Sequence, residues 1–384
     1  MRQAPPLPAV TAGLLTAFVG SASSFAVVLQ GLDAVGADPA QAASGLMALF
    51  VAMGLCGVLA SWRYAMPISI AWSTPGAALL AASAVPEGGF AVAVGAFLVA
   101  GLLVIAAGAF RPLGRLIAAI PVSIASGMLA GVLLPLCLAP VRAVAAMPAA
   151  GLAIVAVWLI VGRWKRLMAV PAAALVAILL IALDLPADQL PASLWPSPVL
   201  VMPDLTLAAA VGIALPLFLV TMASQNIPGL AVLSVNGYRP EPGPLFSLTG
   251  LFSLAAAPLG GHAVNLSAIT AALCAGPDAG PDPQRRWWAA AIAGAAYVVL
   301  GLAAGAITAL AGVSPLLVQA VAGLALIGAF SASIAGALAD PDQRDAAAVT
   351  FVVTASGLTL AGISAAFWGL LAGTVVLLLG RWRR

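Results

Sequence analysis

Two short stretches decide the fold: residues 66–80 read MPISIAWSTPGAALL, and residues 257–273 read APLGGHAVNLSAITAAL. Both are apolar, yet they are too short and too rich in Gly, Pro, Ser, Thr or Asn for an ordinary membrane-spanning helix, which needs about 20 apolar residues. Interrupted segments at matching positions of two halves of a chain are typical of a transporter's binding site. Their freed backbone groups are tolerated only beside protein or a water-filled cavity. The two stretches therefore predict a polar cavity near the middle of a bilayer.

Composition places the rest of the chain in the membrane. Of 384 residues, 63% are hydrophobic and only 7% are charged, whereas soluble domains are about half apolar and a quarter charged. The chain is therefore predicted to be an all-α polytopic membrane protein. Its net charge of +3 gives no indication of nucleic-acid binding. The sequence contains no Walker, HExxH or GxSxG motif and no metal-ligand spacing, so we expect neither a cofactor nor enzyme activity.

The apolar runs predict about fourteen spans arranged as seven plus seven. They lie at about 9–31, 41–61, 66–83, 89–110, 114–138, 147–162, 169–183, 206–233, 243–257, 260–275, 287–311, 314–338, 346–362 and 364–380. Residues 1–183 form the first repeat, 184–205 a linker and 206–384 the second repeat. Because seven is odd, two such repeats cross in opposite directions, which makes an inverted repeat.

The charges orient this map. If both termini are cytoplasmic and the linker is periplasmic, Arg142 is the only one of the fifteen Lys and Arg residues outside. Such a bias follows the positive-inside rule. All twelve carboxylates fall in predicted loops, although buried acids usually mark cation and proton pathways. The pattern disfavours a cation pump and favours a substrate that carries its own negative charge.

The second broken stretch contains the only histidine, His262. It follows Gly260 and Gly261, which allow close backbone approach. At the N-terminus of a half-helix it would join free N–H groups and a positive dipole end, a ready anion site. We therefore expect the N–H groups of Gly261, His262, Ala263 and Val264, helped by the Asn265 amide and by Ser or Thr hydroxyls, to hold a carboxylate. A lone histidine that only orients the half-helix is the alternative.

The first broken stretch supplies Trp72, Ser73 and Thr74. An aromatic wall beside hydroxyl donors suits an aromatic acid; an interfacial tryptophan and two helix caps are the alternative.

Polar residues also interrupt the first and eighth spans at corresponding places. Ser23 and Ser24 lie in the first span, and Gln225 and Asn226 in the eighth. We expect them to share one cavity, although polar side chains also join helices to one another in membranes.

Three motifs, WSTPGAALL, ASQNIPGLAVL and GGHAVNLSAITAALCAG, together resemble the bacterial benzoate membrane transport family along the whole chain. The resemblance implies benzoate/proton symport and the seven-plus-seven fold of nucleobase and sulfate transporters. It implies a core domain of spans 1–4 and 8–11 and a gate domain of spans 5–7 and 12–14. Substrate would bind between the third and tenth spans, flanked by the first and eighth. Nucleobase relatives carry a glutamate on the eighth span; Gln225 and Asn226 here disfavour purines and pyrimidines.

The expected function is import of benzoate or a related aromatic carboxylate with a proton across the inner membrane. The proton carrier is either His262 or the substrate carboxyl itself. Another small anion or a neutral metabolite on the same fold is the first alternative, and a membrane enzyme or scaffold the second. The expected partners are the substrate, the proton, membrane lipid and a second copy in a homodimer, which is common for this architecture.

Overall fold

The computed structural model describes residues 4–110, 121–184, 195–267, 270–360 and 363–382. The predicted start of the fifth span, residues 185–194 of the linker and the last two arginines lie outside these ranges. The first half contains α1 (Leu7–Ala22), α2 (Phe25–Ala34), α3 (Pro39–Tyr64), β1 (Ile70–Trp72), α4 (Thr74–Ala81), α5 (Phe90–Ala109), α6 (Val122–Cys137), α7 (Ala139–Ala146), α8 (Pro148–Trp164) and α9 (Ala169–Asp184). The second half contains α10 (Leu207–Val235), α11 (Pro242–Ala256), β2 (Val264–Leu266), α12 (Ala271–Ala275), α13 (Trp287–Gly301), α14 (Ala304–Val313), α15 (Pro315–Leu338), α16 (Arg344–Ala355) and α17 (Ala365–Trp382).

Many of these helices can cross a membrane. Within the described ranges, eight helical stretches are long and apolar enough to span a bilayer. The consecutive helices α13 and α14, bent by 63° at their junction, would supply a ninth. Helices α8 and α17 are apolar but shorter. The protein is therefore a predominantly helical, multi-span membrane protein, as the composition predicts. The number fourteen and the inverted repeat stay predictions.

The two broken stretches meet as a pair of short antiparallel strands. Ile70 lies opposite Leu266, and Trp72 opposite Val264. The ladder is extended at both ends, because the Ser73 N–H donates to the Ala263 carbonyl (3.0 Å) and the Ser267 N–H donates to the Ser69 carbonyl (2.9 Å). Extended backbone inside a membrane must find partners within the protein. Each stretch supplies them for the other, and this joins two segments almost 200 residues apart.

Glycine allows the helices around this pair to approach closely. Helices α3 and α13 cross at Gly54 and Gly294, and a Cβ on either glycine would lie 2.5 Å from the carbonyl oxygen of the other. A Cβ on Gly127 of α6 would lie equally close to the carbonyl oxygen of Ala347 on α16. Small residues are the usual means by which membrane helices pack backbone to backbone.

The elements that flank the strand pair are irregular. Helix α10 contains π-helical turns at Ala210–Ala214 and Met222–Asn226. Helices α1 and α2 are separated by Ser23 and Ser24. A π-turn disturbs the regular backbone hydrogen bonding and is frequent at functional sites. The π-turn at Met222–Asn226 and the break between α1 and α2 coincide with polar residues that the sequence analysis selected.

Candidate substrate-binding site

Two helices begin beside the strand pair, and each has a serine at its start. The Ser73 hydroxyl accepts the Gly76 N–H (3.1 Å) at the start of α4. The Ser267 hydroxyl accepts the Thr270 N–H (3.0 Å) immediately before α12. Ser73 is the N-cap of α4, whereas Ser267 makes a similar three-residue contact one step before α12, whose N-cap is Thr270. Two helix starts therefore lie beside one ladder.

A narrow pocket lies at this junction. Its lining residues are Gly20, Ser23, Ser24, Met53, Ala71, Trp72, Thr74, Gln225, Ser267, Thr270 and Tyr297. Its volume of about 20 Å³ is small for an organic ligand. However, Ser23, Ser24, Thr74 and Gln225 also line a second cavity of about 830 Å³, here called the vestibule. Cavities that hold small molecules usually measure about 300–1,000 Å³. A substrate therefore has room where the pocket opens into the vestibule.

Trp72 is the main aromatic wall of the pocket. It is only 2% exposed, and its Nε1–H donates to the Ser24 hydroxyl at 2.9 Å. The Phe50 ring contacts its indole edge to face, with ring centroids 4.7 Å apart. A tryptophan at a membrane interface would have neither partner. The hydrogen bond fixes the indole to the break between α1 and α2, so Trp72 and the serines form one surface.

Tyr297 forms the opposite end of the pocket. Its hydroxyl donates to the Thr16 carbonyl (3.2 Å), and its ring centroid lies 6.3 Å from that of Phe50. Gly20 makes room for it, because a Cβ at position 20 would collide with the Tyr297 hydroxyl. The pocket thus holds a second aromatic ring that the sequence analysis did not select.

Hydroxyl groups supply the polar surface. The Thr270 hydroxyl lies 2.7 Å from that of Ser267 and 3.2 Å from that of Ser69. A hydroxyl donates one hydrogen bond and accepts others, so such a cluster can bind a carboxyl group in either protonation state. No charged side chain is among the described residues that line the narrow pocket.

The structure places Gly261–Asn265 differently from the expected half-helix start. His262 precedes β2, whereas the half-helix α12 begins only at Ala271. Three of the four N–H groups expected to be free are occupied: that of Gly261 donates to Ala256, that of Ala263 to His262 Nδ1, and that of Val264 to Ser253. None of these residues lines either cavity.

His262 itself is fully buried and packs edge to face against Phe97, with ring centroids 6.4 Å apart. Its Nε2 has no hydrogen-bond partner among the described residues. Asn265 is also fully buried. The two strands displace both side chains from the helix start on which the prediction relied. Their role in substrate binding and in proton coupling stays a prediction.

Two further predicted residues are occupied in structural contacts. The Ser73 hydroxyl, besides capping α4, lies 2.8 Å from the Thr221 hydroxyl of α10. The Asn226 Oδ1 accepts the Leu266 N–H (2.9 Å) and so ties the π-turn of α10 to β2. Both side chains are fully buried and lie outside the two cavities. Both residues therefore support the structure around the site without lining a cavity.

The sequence analysis therefore selected five pocket residues, Ser23, Ser24, Trp72, Thr74 and Gln225, and missed others. Ser267 and Thr270 could have been predicted from the sequence, since hydroxyl residues such as those of S-A-I-T before AAL are typical of a helix start. Gly20, Met53, Ala71 and Tyr297 carry no such local signal.

Comparison with known proteins agrees with this picture. The sequence model of the BenE family, described as benzoate membrane transport protein, matches residues 3–379. The chain belongs to the BenE family. A benzoate membrane transport protein of Acinetobacter baylyi is 31% identical over 374 residues, covering 96% of this chain and 93% of the relative. Inner membrane protein YdcO of Escherichia coli is 40% identical over 372 residues, covering 96% and 95%.

Two solved structures share the fold. The transmembrane domain of a cyanobacterial bicarbonate transporter, BicA, aligns with a TM-score of 0.57 at 17% identity, covering 97% of this chain and 96% of the other. SLC26A9 aligns with a TM-score of 0.61 at 13% identity, covering 97% and 65%. The BenE protein described here is therefore a membrane transporter and not an enzyme.

Proposed function

We propose that this BenE protein imports benzoate or a related aromatic carboxylate together with a proton across the inner membrane. One observation carries the proposal: the two broken stretches meet, and their helix starts enclose a pocket that combines the Trp72 indole with the Thr74, Ser267 and Thr270 hydroxyls. An aromatic acid has a matching apolar ring and polar end. The family and its benzoate-transporting relative supply the substrate class.

We propose that the substrate carboxyl carries the proton. An anion that enters a cell with a negative interior opposes about 2.3 kcal/mol per charge per 100 mV, and one co-transported proton removes that cost. The narrow pocket offers the carboxyl group no countercharge, and a desolvated acid without one is driven toward its neutral form. His262, the alternative carrier, lies outside both cavities.

The proposed architecture is the seven-plus-seven inverted repeat, with fourteen crossings and broken third and tenth spans. Residues 1–183 and 206–384 form the repeats; spans 1–4 and 8–11 form the core domain, and spans 5–7 and 12–14 the gate domain. Both termini are cytoplasmic, and the linker at 184–205 is periplasmic. In this orientation the vestibule, which reaches Arg166 after α8, opens toward the cytoplasm. The protein assembles as a homodimer in the lipid bilayer.

Uptake into proteoliposomes tests the function. Purified protein is reconstituted, and labelled benzoate uptake is measured with and without an imposed pH gradient, acid outside. We expect concentrative uptake that requires the gradient and that salicylate inhibits, whereas uracil and sulfate do not. Empty liposomes measure passive entry of benzoic acid. Uptake equal to that control, or inhibition by uracil or sulfate in preference to salicylate, contradicts the proposal.

A further inference from the structure

The vestibule contains a single charged side chain among the described residues that line it, and that residue is Arg166. The other polar lining side chains are hydroxyls and one amide, including Ser126, Ser224, Ser331 and Ser333. The remaining surface is largely apolar, with Trp158 and Leu159 of α8 on one side and α15 on the other. No acidic residue of the described part lines the cavity. Its electrostatic character therefore depends on one guanidinium.

Arg166 is placed by a short turn of 3-10 helix, Arg166–Met168, that connects α8 to α9. Its side chain is exposed, and no hydrogen bond or ion pair joins its guanidinium to another described residue. Two neighbouring cations, Arg163 in the last turn of α8 and Lys165 directly after it, do not line the vestibule. Of these three cations, only Arg166 lines the cavity.

A cavity with apolar walls concentrates the field of the charge at its mouth and raises the local concentration of counter-ions. We propose that Arg166 is the electrostatic selector of the vestibule: it attracts organic anions into the cavity and disfavours cations. The inference rests on the proposed function in one respect, that the anion is an aromatic carboxylate. A neutral acid in the narrow pocket would then release its proton to solvent water as its carboxyl group moves toward Arg166, and the carboxylate would stay beside the guanidinium.

Thiol labelling tests the electrostatic role of Arg166 without any substrate. Ser331, exposed on α15 within the vestibule, is replaced by cysteine in protein held in nanodiscs. The labelling rates of a methanethiosulfonate that carries a sulfonate and of one that carries a trimethylammonium are compared; the unsubstituted chain gives the background of the native cysteines. We expect Arg166→Gln to lower the sulfonate-to-ammonium rate ratio about three- to tenfold at low ionic strength, with a smaller change in high salt.

Arg163→Gln is the matched control, because it removes an equal charge three residues away that does not line the cavity. It should change the ratio less than Arg166→Gln does, because the Arg163 side chain lies outside the apolar walls that concentrate the field of Arg166. An unchanged ratio in Arg166→Gln, or an equal change in Arg163→Gln, overturns the inference. Thermal unfolding of each variant verifies that it is folded.

The kinetics of benzoate transport show what Arg166 contributes to transport. In oriented proteoliposomes, Arg166→Gln should raise the half-saturating benzoate concentration on the vestibule side about three- to tenfold, while that on the opposite side is unchanged. If the half-saturating benzoate concentration on the vestibule side is the same in the parent and in Arg166→Gln, the selector role is contradicted. Absence of benzoate transport by the parent chain contradicts the proposed function instead, and the labelling ratio then still decides the role of Arg166.

Discussion

At the scale of single residues, Trp72 shows how much the position of a side chain in the sequence can indicate. Its location, well along a broken apolar stretch, indicated a cavity wall in preference to an interfacial belt. The structure places it in the pocket, hydrogen-bonded to Ser24 and in contact with Phe50. Its energetic contribution to binding can be measured directly.

Trp72→Ala should weaken benzoate binding by about 1–3 kcal/mol, the scale of losing a large apolar contact. Trp72→Phe keeps an aromatic ring but loses the hydrogen bond to Ser24, so it should retain much of the affinity. Isothermal titration of folded, purified variants measures both. Normal affinity in Trp72→Ala would assign this residue to packing alone.

His262 shows the opposite case. The Gly260–Gly261 pair was interpreted as the start of a half-helix, but the strand Val264–Leu266 intervenes, and the helix begins only at Ala271. No local sequence pattern predicts that Val264–Leu266 form a strand, because their partners Ile70–Trp72 lie in the other half of the chain.

His262→Gln should preserve proton-driven, concentrative benzoate uptake if the substrate carries its own proton. The reason is geometric, since His262 lies behind β2 and outside both cavities. Uptake into proteoliposomes under a pH gradient, compared with counterflow exchange, is the measurement. Loss of concentrative uptake with exchange retained would instead assign the proton to the histidine.

At the scale of elements, the sequence predicted a helical, multi-span membrane protein, which is confirmed, but it predicted no strands. Apolar runs and their Pro or charged breaks are local features, so they indicate helices directly, whereas the count of fourteen spans stays a prediction. The pairing of β1 with β2 and the π-turns of α10 are set by tertiary contacts, such as that of Asn226 with Leu266. Tyr297 was missed for the same reason. Its hydroxyl is a single polar group on an apolar helix, and it reaches Gly20 only because α13 packs on α1.

The close crossing of α3 and α13 can be tested with one methyl group. Gly54→Ala would place a Cβ 2.5 Å from the Gly294 carbonyl oxygen, and such overpacking costs about 1–3 kcal/mol. We expect a lower melting temperature in detergent. Gly312→Ala on α14 is the control, because a Cβ there meets no atom within 4 Å. Equal melting temperatures for the two variants would show that the crossing is not tight.

At the scale of the whole molecule, the charge distribution predicts the orientation. Cysteine introduced at position 190 should react with a membrane-impermeant reagent in intact cells, and cysteine at position 384 should react only after lysis. The basis is the positive-inside rule applied to the fifteen Lys and Arg residues. The reverse pattern would invert the topology and place the vestibule on the outside.

We propose that the substrate binds where the two broken stretches meet. An experimental structure with 4-iodobenzoate provides a direct test, because anomalous scattering locates the iodine and the density locates the carboxyl group. We expect the ring beside Trp72 and the carboxyl group within hydrogen-bonding distance of the Thr74, Ser267 or Thr270 hydroxyl. A carboxyl group bound at Gly261–Asn265, or a ligand outside the pocket and vestibule, would contradict it.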